Sequence, residues 1–282
     1  FQQLLQDLRS QITEKSKRIA LSNKLYSIDS TTVELCLNTF SWAKYRSTKG
    51  ALKIHLRLDH DGYIPDFVVV GEGATHDVIP ARDFPYETGS ITVFDRGYVD
   101  YNLFKQIDEG GAFFVTRLKK NACYELVKKL NLPDKHDPDL ISDSMIKLNG
   151  KSFTNSVRLV LLKDADGKEM RFISNNLELS AQMISDIYRE RWNIETFFKH
   201  LKQKLKVKTF VGTSKNAVMI QIYTALIAFL LLKFIHAKSS FSWCLSNMVA
   251  LFRMNLFSYK DLWSWIQNPF PQRYKDPPDM VQ

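Results

Sequence analysis

The sequence predicts an α/β fold, a mixed sheet with flanking helices, on three observations. Strict alternation of apolar and polar residues through ALKIHLRL marks a β-strand, because strand side chains alternate between faces. ITVF, YVDYNLFKQIDEGG and GAFFVTRLKKN read as strand, helix and strand, the unit from which layered α/β sheets are built. A turn-rich β stretch then gives way to helical periodicity that runs nearly to the C-terminus.

The elements follow in order. FQQLLQDLRSQITEKSKRIA carries a helical stripe at Phe1, Leu4, Leu5, Leu8 and Ile12. KLYSIDSTTVELC is a β-like run that ends near Asp29 or continues beyond it, and FSWAKYRSTKG reads as a basic, aromatic loop. In ALKIHLRLDHDGYIPDFVVVGEG, Leu52, Ile54, Leu56 and Leu58 form a buried strand face and Lys53, His55 and Arg57 an open one. His60-Asp61-Gly62 makes the turn, and Phe67 to Val70 has the continuous apolarity of a central strand. THDVIPARDFPYETG is irregular or a short helix broken by Pro80 and Pro85. Gly110 and Gly111 close the helix of YVDYNLFKQIDEGG. SDSMIKLNG, SVRLVLLKDADG and KEMRFISNN are three antiparallel strands with Asn149-Gly150 and Asp166-Gly167 as turns. Ser180 is the N-cap of a helix carrying YRERWNIETFFKHLKQKLKVK, and two or three more helices lead to the Pro-rich tail NPFPQRYKDPPD.

Composition narrows the function. Apolar residues at 45% suffice for a core, which excludes global disorder. A formal charge of +9 over 282 residues favours a polyanionic partner, nucleic acid before acidic membrane. Cys36, Cys123 and Cys244 make neither a disulfide framework nor a CxxC metal pair; buried thiols in a reducing cytosol are expected. Ala217 to Ile235 is long and apolar, but Gln221 and Lys233 interrupt it, so a helix buried in a soluble core is expected. The sequence has neither an initiator Met nor a signal peptide and is expected to begin inside a longer protein.

Three acids stand out by position. Asp29 lies in an apolar strand, Asp95 follows ITVF, and Glu195 lies at the rim of a helix. Sites of α/β sheets gather at strand carboxyl ends. Each acid alone also suits a turn or cap. Carboxylates that converge repel one another unless a cation holds them. On the helix, Tyr188, Arg191, Glu195 and Lys202 fall within roughly 60° of one another, beside an apolar stripe of Ile187, Ile194, Phe198, Leu201 and Leu205. Solvated ion pairs at helical spacing are the plain alternative, since Arg191 and Glu195 are four apart.

The spacing Tyr188-x2-Arg191-x3-Glu195-x6-Lys202 resembles the signature of DDE transposases of the insertion-sequence-four (IS4) family of bacterial mobile elements. IDSTTVELC, FDRGY, FVTRLKKN, YRERWNIETFFKHLKQ and FVGTSKNAV look like that family's blocks in its order, over nearly the whole chain. The resemblance implies a ribonuclease-H-like core. Residues 1–120 would hold its first part with the N-terminal helix, 121–176 a β-rich insertion, and 177–282 the catalytic helix with the helices completing the core. It implies Asp29, Asp95 and Glu195 as catalytic, metal-binding triad, with two Mg²⁺ as cofactors, or Mn²⁺ in their place. It further implies transposon-end and target DNA as partners, a homodimer in the synaptic complex, no membrane, and a cytoplasmic, nucleoid-associated location. Family members carry an N-terminal region that helps recognise element ends; this sequence starts near the first Asp block and is expected to lack most of it.

Under the same resemblance Lys202 would hold a DNA phosphate, and Arg191 would either grip phosphate or orient Glu195. Tyr188 would donate to phosphate or pack beside a base. Arg117, Lys119 and Lys120 form a second basic cluster facing DNA, and Lys199, Lys204, Lys206 and Lys208 extend the helix's basic character. Trp192 is expected to pack on the sheet edge, with base stacking as the alternative. Phe153, Phe172 and Tyr124 are loose candidates to stack a flipped base. A metal nuclease that cuts without joining, or a non-catalytic DNA-binding remnant, are the competing functions.

Overall fold

The computed structural model describes residues 1–12, 19, 21–46, 49–132, 137–150, 152–204 and 210–270. Leu205, Lys206, Lys208 and the tail beyond Phe270 lie outside the described residues, as does the Lys204 side chain.

Helix α1 (Gln2–Ile12) precedes β1 (Leu25–Leu35), which runs well past Asp29. Within the expected loop, β2 (Lys44–Arg46) pairs with β3 (Lys49–Asp59), which turns through His60-Asp61-Gly62 into β4 (Ile64–Glu72). Gly62 takes φ +92°, a left-handed conformation that glycine adopts without steric cost. After the short α2 (Val78–Ala81) come β5 (Ile91–Val93), a 3-10 turn (Arg96–Tyr98), α3 (Tyr101–Glu109) and β6 (Phe113–Arg117). Pro80 sits inside α2 rather than breaking it.

One ten-stranded sheet results, in the order β2-β3-β1-β5-β6, with β4 on β3 and β7–β10 continuing beyond β6. β1, β5 and β6 are parallel to one another, while β3 is antiparallel to β1 and to β4. This β4-β3-β1-β5-β6 arrangement, a three-stranded meander followed by two parallel strands, is the ribonuclease-H-like topology. Strands β7 (Tyr124–Leu130), β8 (Leu140–Leu148), β9 (Ser156–Lys163) and β10 (Glu169–Ser174) extend the sheet, β10 pairing antiparallel with β6. The stretch therefore carries four strands where the pattern suggests three. Asp166-Gly167 makes the β9–β10 turn, whereas Asn149-Gly150 follows β8 without closing a tight turn, since β9 starts only at Ser156.

Two strand readings need correction. Lys53, His55 and Arg57 do not face water: Lys53 is half-buried, and His55 and Arg57 are only 1% and 2% exposed. The segment between β4 and β5 covers that face, where Arg57 bonds Glu87 and the Pro85 carbonyl, and Arg57 also bonds Asp66 of β4. β4 is not central, since it pairs only with β3. Its continuous apolarity has another cause: Val68 and Val70 join the core on one face, Phe67 and Val69 the core on the other.

The C-terminal third is helical. α4 (Ala181–Glu190) starts at Ser180, whose Oγ accepts from Met183 N at 3.1 Å. The segment expected as one helix is broken at Arg191, continues as α5 (Trp192–Lys199) and ends in a π-turn (His200–Lys204). α6 (Lys215–Lys238), α7 (Leu245–Asn255) and α8 (Leu262–Gln267) follow. α6 is long and apolar enough to cross a membrane, yet Val218, Ile222, Ala225, Leu226 and Phe229 pack with Phe197, Phe198 and Leu201 against β3 and β4. The cysteines are exposed rather than buried: Cys36 directly follows β1, Cys123 precedes β7, and Cys244 caps α7.

Candidate active site

Strand register alone brings the two aspartates together. Ser27 of β1 pairs with Val93 of β5. Asp29 and Asp95 are each two residues further on, just beyond the last pair of that ladder, so they stand at the same level on neighbouring chains. Val93 also pairs with Val115 of β6, which places Arg117 next in the same row. The sheet end thus reads Asp29, Asp95, Arg117, and the Thr116 hydroxyl donates to the Asp95 carbonyl at 3.2 Å.

The turn after β5 fixes Asp95: its Oδ1 accepts from Gly97 N at 2.7 Å, and a Cβ at Gly97 would lie 2.8 Å from that oxygen. A side chain at that position would push the carboxylate out of this bond. Asp29 Oδ1 accepts from Ser30 N at 2.8 Å. Glu195 arrives from α5, which packs across β1. Arg191 joins the acids: its Nη1 lies 2.7 Å from Glu195 Oε1 and 3.9 Å from Asp29 Oδ2. Its guanidinium is only 8% exposed and lies against the site from the junction of α4 and α5.

The electrostatics register the convergence. Burial pushes the Asp29 carboxyl up to about 7, the Ser30 amide and Arg191 oppose the rise, and Asp95 and Glu195 both add to it. Both other acids therefore act on Asp29 at short range. Among the described residues no three acidic, His or Cys side chains close around one point as a ready ligand cluster. Arg191 occupies the space between Asp29 and Glu195. Three carboxylates against one guanidinium leave an excess of negative charge, and carboxylate oxygens are the hard donors that Mg²⁺ and Mn²⁺ take. The donor set fits such an ion.

The other signature residues are placed differently. Tyr188 is buried against Phe172, with ring centroids 4.8 Å apart, and Arg191 lies 5.7 Å from its ring. Lys202 Nζ donates to the Thr32 carbonyl at 2.6 Å, clamping the π-turn to β1 beyond Asp29. Lys202→Ala is expected to lower stability by about 1.5–3 kcal/mol, the scale of a hydrogen bond from a charged group. A thermal melt coinciding with the parent's would remove the clamp from the fold's energetics. Trp192 does not pack on the sheet edge; it is 61% exposed, with the Arg191 guanidinium 5.2 Å away. Phe153 and Phe172 are core residues at 2% exposure, and Tyr124 packs against the same core as Phe153. Lys119, Lys120 and Lys199 are exposed.

Sequence reading missed the support beneath Asp29. Ser30 Oγ donates to Asp77 Oδ1 at 2.5 Å, and the same oxygen lies 3.0 Å from Lys53 Nζ and 3.5 Å from His55 Nδ1. Burial, opposed by Asp77 and reinforced by Lys53, holds the His55 imidazole down to about 4, so it is neutral at pH 7. The alternation of Lys53, His55 and Arg57 was the available signal, hidden by taking that face as solvated.

A ribonuclease-H-like sheet with one aspartate inside β1, a second just past the end of the parallel strand β5, and a glutamate from a packed helix defines the DDE class of catalytic domain. The chain belongs to the transposase DDE domain family, which matches residues 22–231. It is 30% identical over 242 residues to the "Probable transposase for insertion sequence element IS5377" of Geobacillus stearothermophilus, covering 85% of this chain and 64% of that relative. It is 27% identical over 243 residues to a Synechocystis sp. protein named for insertion sequence element IS4SA, covering 83% and 66%. Among solved structures it is similar to the piggyBac transposase in a synaptic complex with hairpin DNA, at 14% identity and TM-score 0.45, over 90% of this chain and 59% of that one. The chain spans just under two thirds of the length of the IS5377 and IS4SA relatives.

Proposed function

We propose that this chain is the catalytic domain of an insertion-sequence transposase that cuts DNA at the element's ends and joins the freed 3′ end to a target. One observation carries the reading: Asp95 and Glu195, far from Asp29 in sequence, both act on its carboxyl, and Arg191 bridges Asp29 and Glu195. Asp29, Asp95 and Glu195 would hold two Mg²⁺, with Mn²⁺ as substitute. Bound there, the ions supply Lewis-acid charge to phosphate oxygens and lower the pKa of a bound water or hydroxyl.

The chain's own residues prepare that site. Ser30 N and Gly97 N each fix one aspartate oxygen, so neither carboxylate needs reorganising during turnover. Arg191 holds Glu195 and would release it to a stronger cation, remaining as a donor for a phosphate oxygen. Arg117 faces the strand that enters beside Asp95. In each step an oxygen nucleophile, from water or a DNA 3′-hydroxyl, attacks phosphorus. The opposite P–O bond breaks, the proton of the nucleophile passes to solvent, and the leaving oxygen departs with the bonding pair. Cutting and joining are the same displacement with different nucleophiles, so one site serves both. A homodimer bridging two ends in the cytoplasm completes the proposal.

The test is cleavage and joining of the element's own terminal DNA with Mg²⁺, Mn²⁺ or a chelator present. Metal-dependent 3′-end cleavage followed by joined product supports the reading. Cleavage without joined product would make the protein a nuclease, and DNA binding with no cleavage in either metal would make it a non-catalytic remnant.

A further inference from the structure

The row of strand ends changes sign past Asp95. Beyond Arg117 the sheet opens into a cleft of about 590 Å³, lined by Arg96, Arg117, Lys120, Lys168, Glu169 and Arg171 with Leu118. Five cations and one acid come from three places: the turn after Asp95, the end of β6, and the β9–β10 hairpin. Register explains the convergence. β10 pairs antiparallel with β6, Phe172 opposite Arg117, so the start of β10 and the hairpin before it project past the end of β6.

The five cations are not equally committed. Among the described residues only Arg171 forms a salt bridge, Nε to Glu169 Oε1 at 2.8 Å, and its Nη1 reaches the Lys120 carbonyl at 3.4 Å. Arg171 is thereby held in place through Nε and Nη1, which leaves its Nη2 for an anion, and the other four form no salt bridge among the described residues. Four unneutralised cations around one open cleft repel one another, which is tolerable only in high dielectric or with a bound polyanion. The lining holds no aromatic ring and no Asn or Gln, so it has neither a stacking surface nor the amide that reads adenine. A single buried phosphate is also a poor match, because Arg96, Lys120 and Lys168 are exposed around a wide rim.

We infer that this cleft holds consecutive backbone phosphates of the DNA that continues beyond the reacting phosphodiester, with Lys168 and Arg171 of the β9–β10 hairpin as contacts. The inference rests on the reading above for where the reacting phosphate lies. It adds Arg96, Lys168 and Arg171 to the DNA interface and gives the hairpin a role in binding. Phosphate contacts position DNA without reading its sequence.

The experiment is fluorescence anisotropy of the full chain with two short labelled duplexes of unrelated sequence, titrated over a range of NaCl. For Lys168→Ala/Arg171→Ala, affinity is expected to fall roughly tenfold for both duplexes. The slope of log K against log salt should become shallower by about 1.8, two contacts at about 0.9 each. Arg171→Lys should keep the parental slope, which a purely structural loss would not allow. Should the double variant fail to fold by circular dichroism, exposed Lys168→Glu carries the test and is expected to lower both affinities. Unchanged affinity and slope in a folded variant overturn the inference, as does a loss confined to one duplex. Asp29-dependent cleavage with parental binding by the cleft variants sinks the cleft alone. Weakened binding by those variants in a chain that never cleaves sinks the catalytic reading and leaves the cleft.

Discussion

Asp29→Asn is expected to lower DNA cleavage by roughly 10⁴-fold while raising the stability of the metal-free protein. The first effect follows from cooperation: single members of an interdependent catalytic set commonly cost about that much in turnover. Asn keeps the shape and still accepts from Ser30 N, but it cannot balance a dication. The second effect follows from the sign of the Asp29 shift. The native carboxyl is pushed up to about 7 against 3.8 for an unperturbed aspartate. Between those values the native state binds more protons than the unfolded state, so stability falls as pH rises through the window. Asn carries no such charge. The full shift corresponds to about 4 kcal/mol; solvent at the 21% exposed carboxyl screens about half of it, so the expected advantage is about 2 kcal/mol near pH 8, some 4–8 °C in melting temperature, shrinking toward zero near pH 4. Paired melts of parent and variant at the two pH values, in chelator, measure it directly. A variant that cuts like the parent, or melts lower at both pH values, would remove Asp29 from the centre of the site.

That opposition of stability and activity explains which parts of the site were legible in the sequence. Asp29 and Asp95 were visible because an acid after an apolar strand run is costly to bury without a purpose. Strand pairing places them side by side, and the Ser27–Val93 register makes the neighbourhood inevitable. Glu195 was visible through helical spacing to Arg191, and the 2.7 Å ion pair follows from that four-residue separation. What stayed hidden depended on burial from elements distant in sequence. An alternating strand looks half-exposed until one knows that the 73–90 segment lies over its second face, which conceals His55, Lys53 and Asp77. The break at Arg191 was equally hidden, since no proline or glycine marks it. Arg191 keeps helical dihedrals there, and only the hydrogen bonding tightens, Arg191 N to the Tyr188 carbonyl and Ile194 N to the Arg191 carbonyl. Trp192, the next residue, faces outward.

The largest stability effect should come from a residue that touches no acid of the triad. Arg57 on β3 donates to Asp66, to Glu87 at 3.0 and 3.2 Å, and to the Pro85 carbonyl, and its guanidinium lies 4.0 Å from the Tyr26 ring. Asp66 is shared with Arg9 of α1 at 2.9 Å, and Arg9 also bonds Asp59, which lies 3.2 Å from Lys24. The three cations Arg9, Lys24 and Arg57 thus balance Asp59, Asp66 and Glu87 across α1, the start of β1, the β3–β4 hairpin and the segment before β5. Such a network gains little over a well-packed apolar substitute, because desolvation offsets attraction. Removing Arg57 is different: buried Asp66 keeps only Arg9, and the Pro85 carbonyl and Glu87 lose their donor. Arg57→Ala is expected to cost about 3–5 kcal/mol, which lowers the melting temperature by roughly 10–15 °C. The consequence reaches the site through register. Arg57 and Leu56 are adjacent on β3, and Leu56 pairs with Asp29, so loosening β3 loosens the strand that presents the first aspartate. Cleavage by Arg57→Ala should therefore survive at low temperature and fail on warming in parallel with the melt. A separate test pairs Arg57→Ala with Asp66→Asn: if the two costs simply add, the buried pair is not coupled and the proposed network does not hold the hairpin.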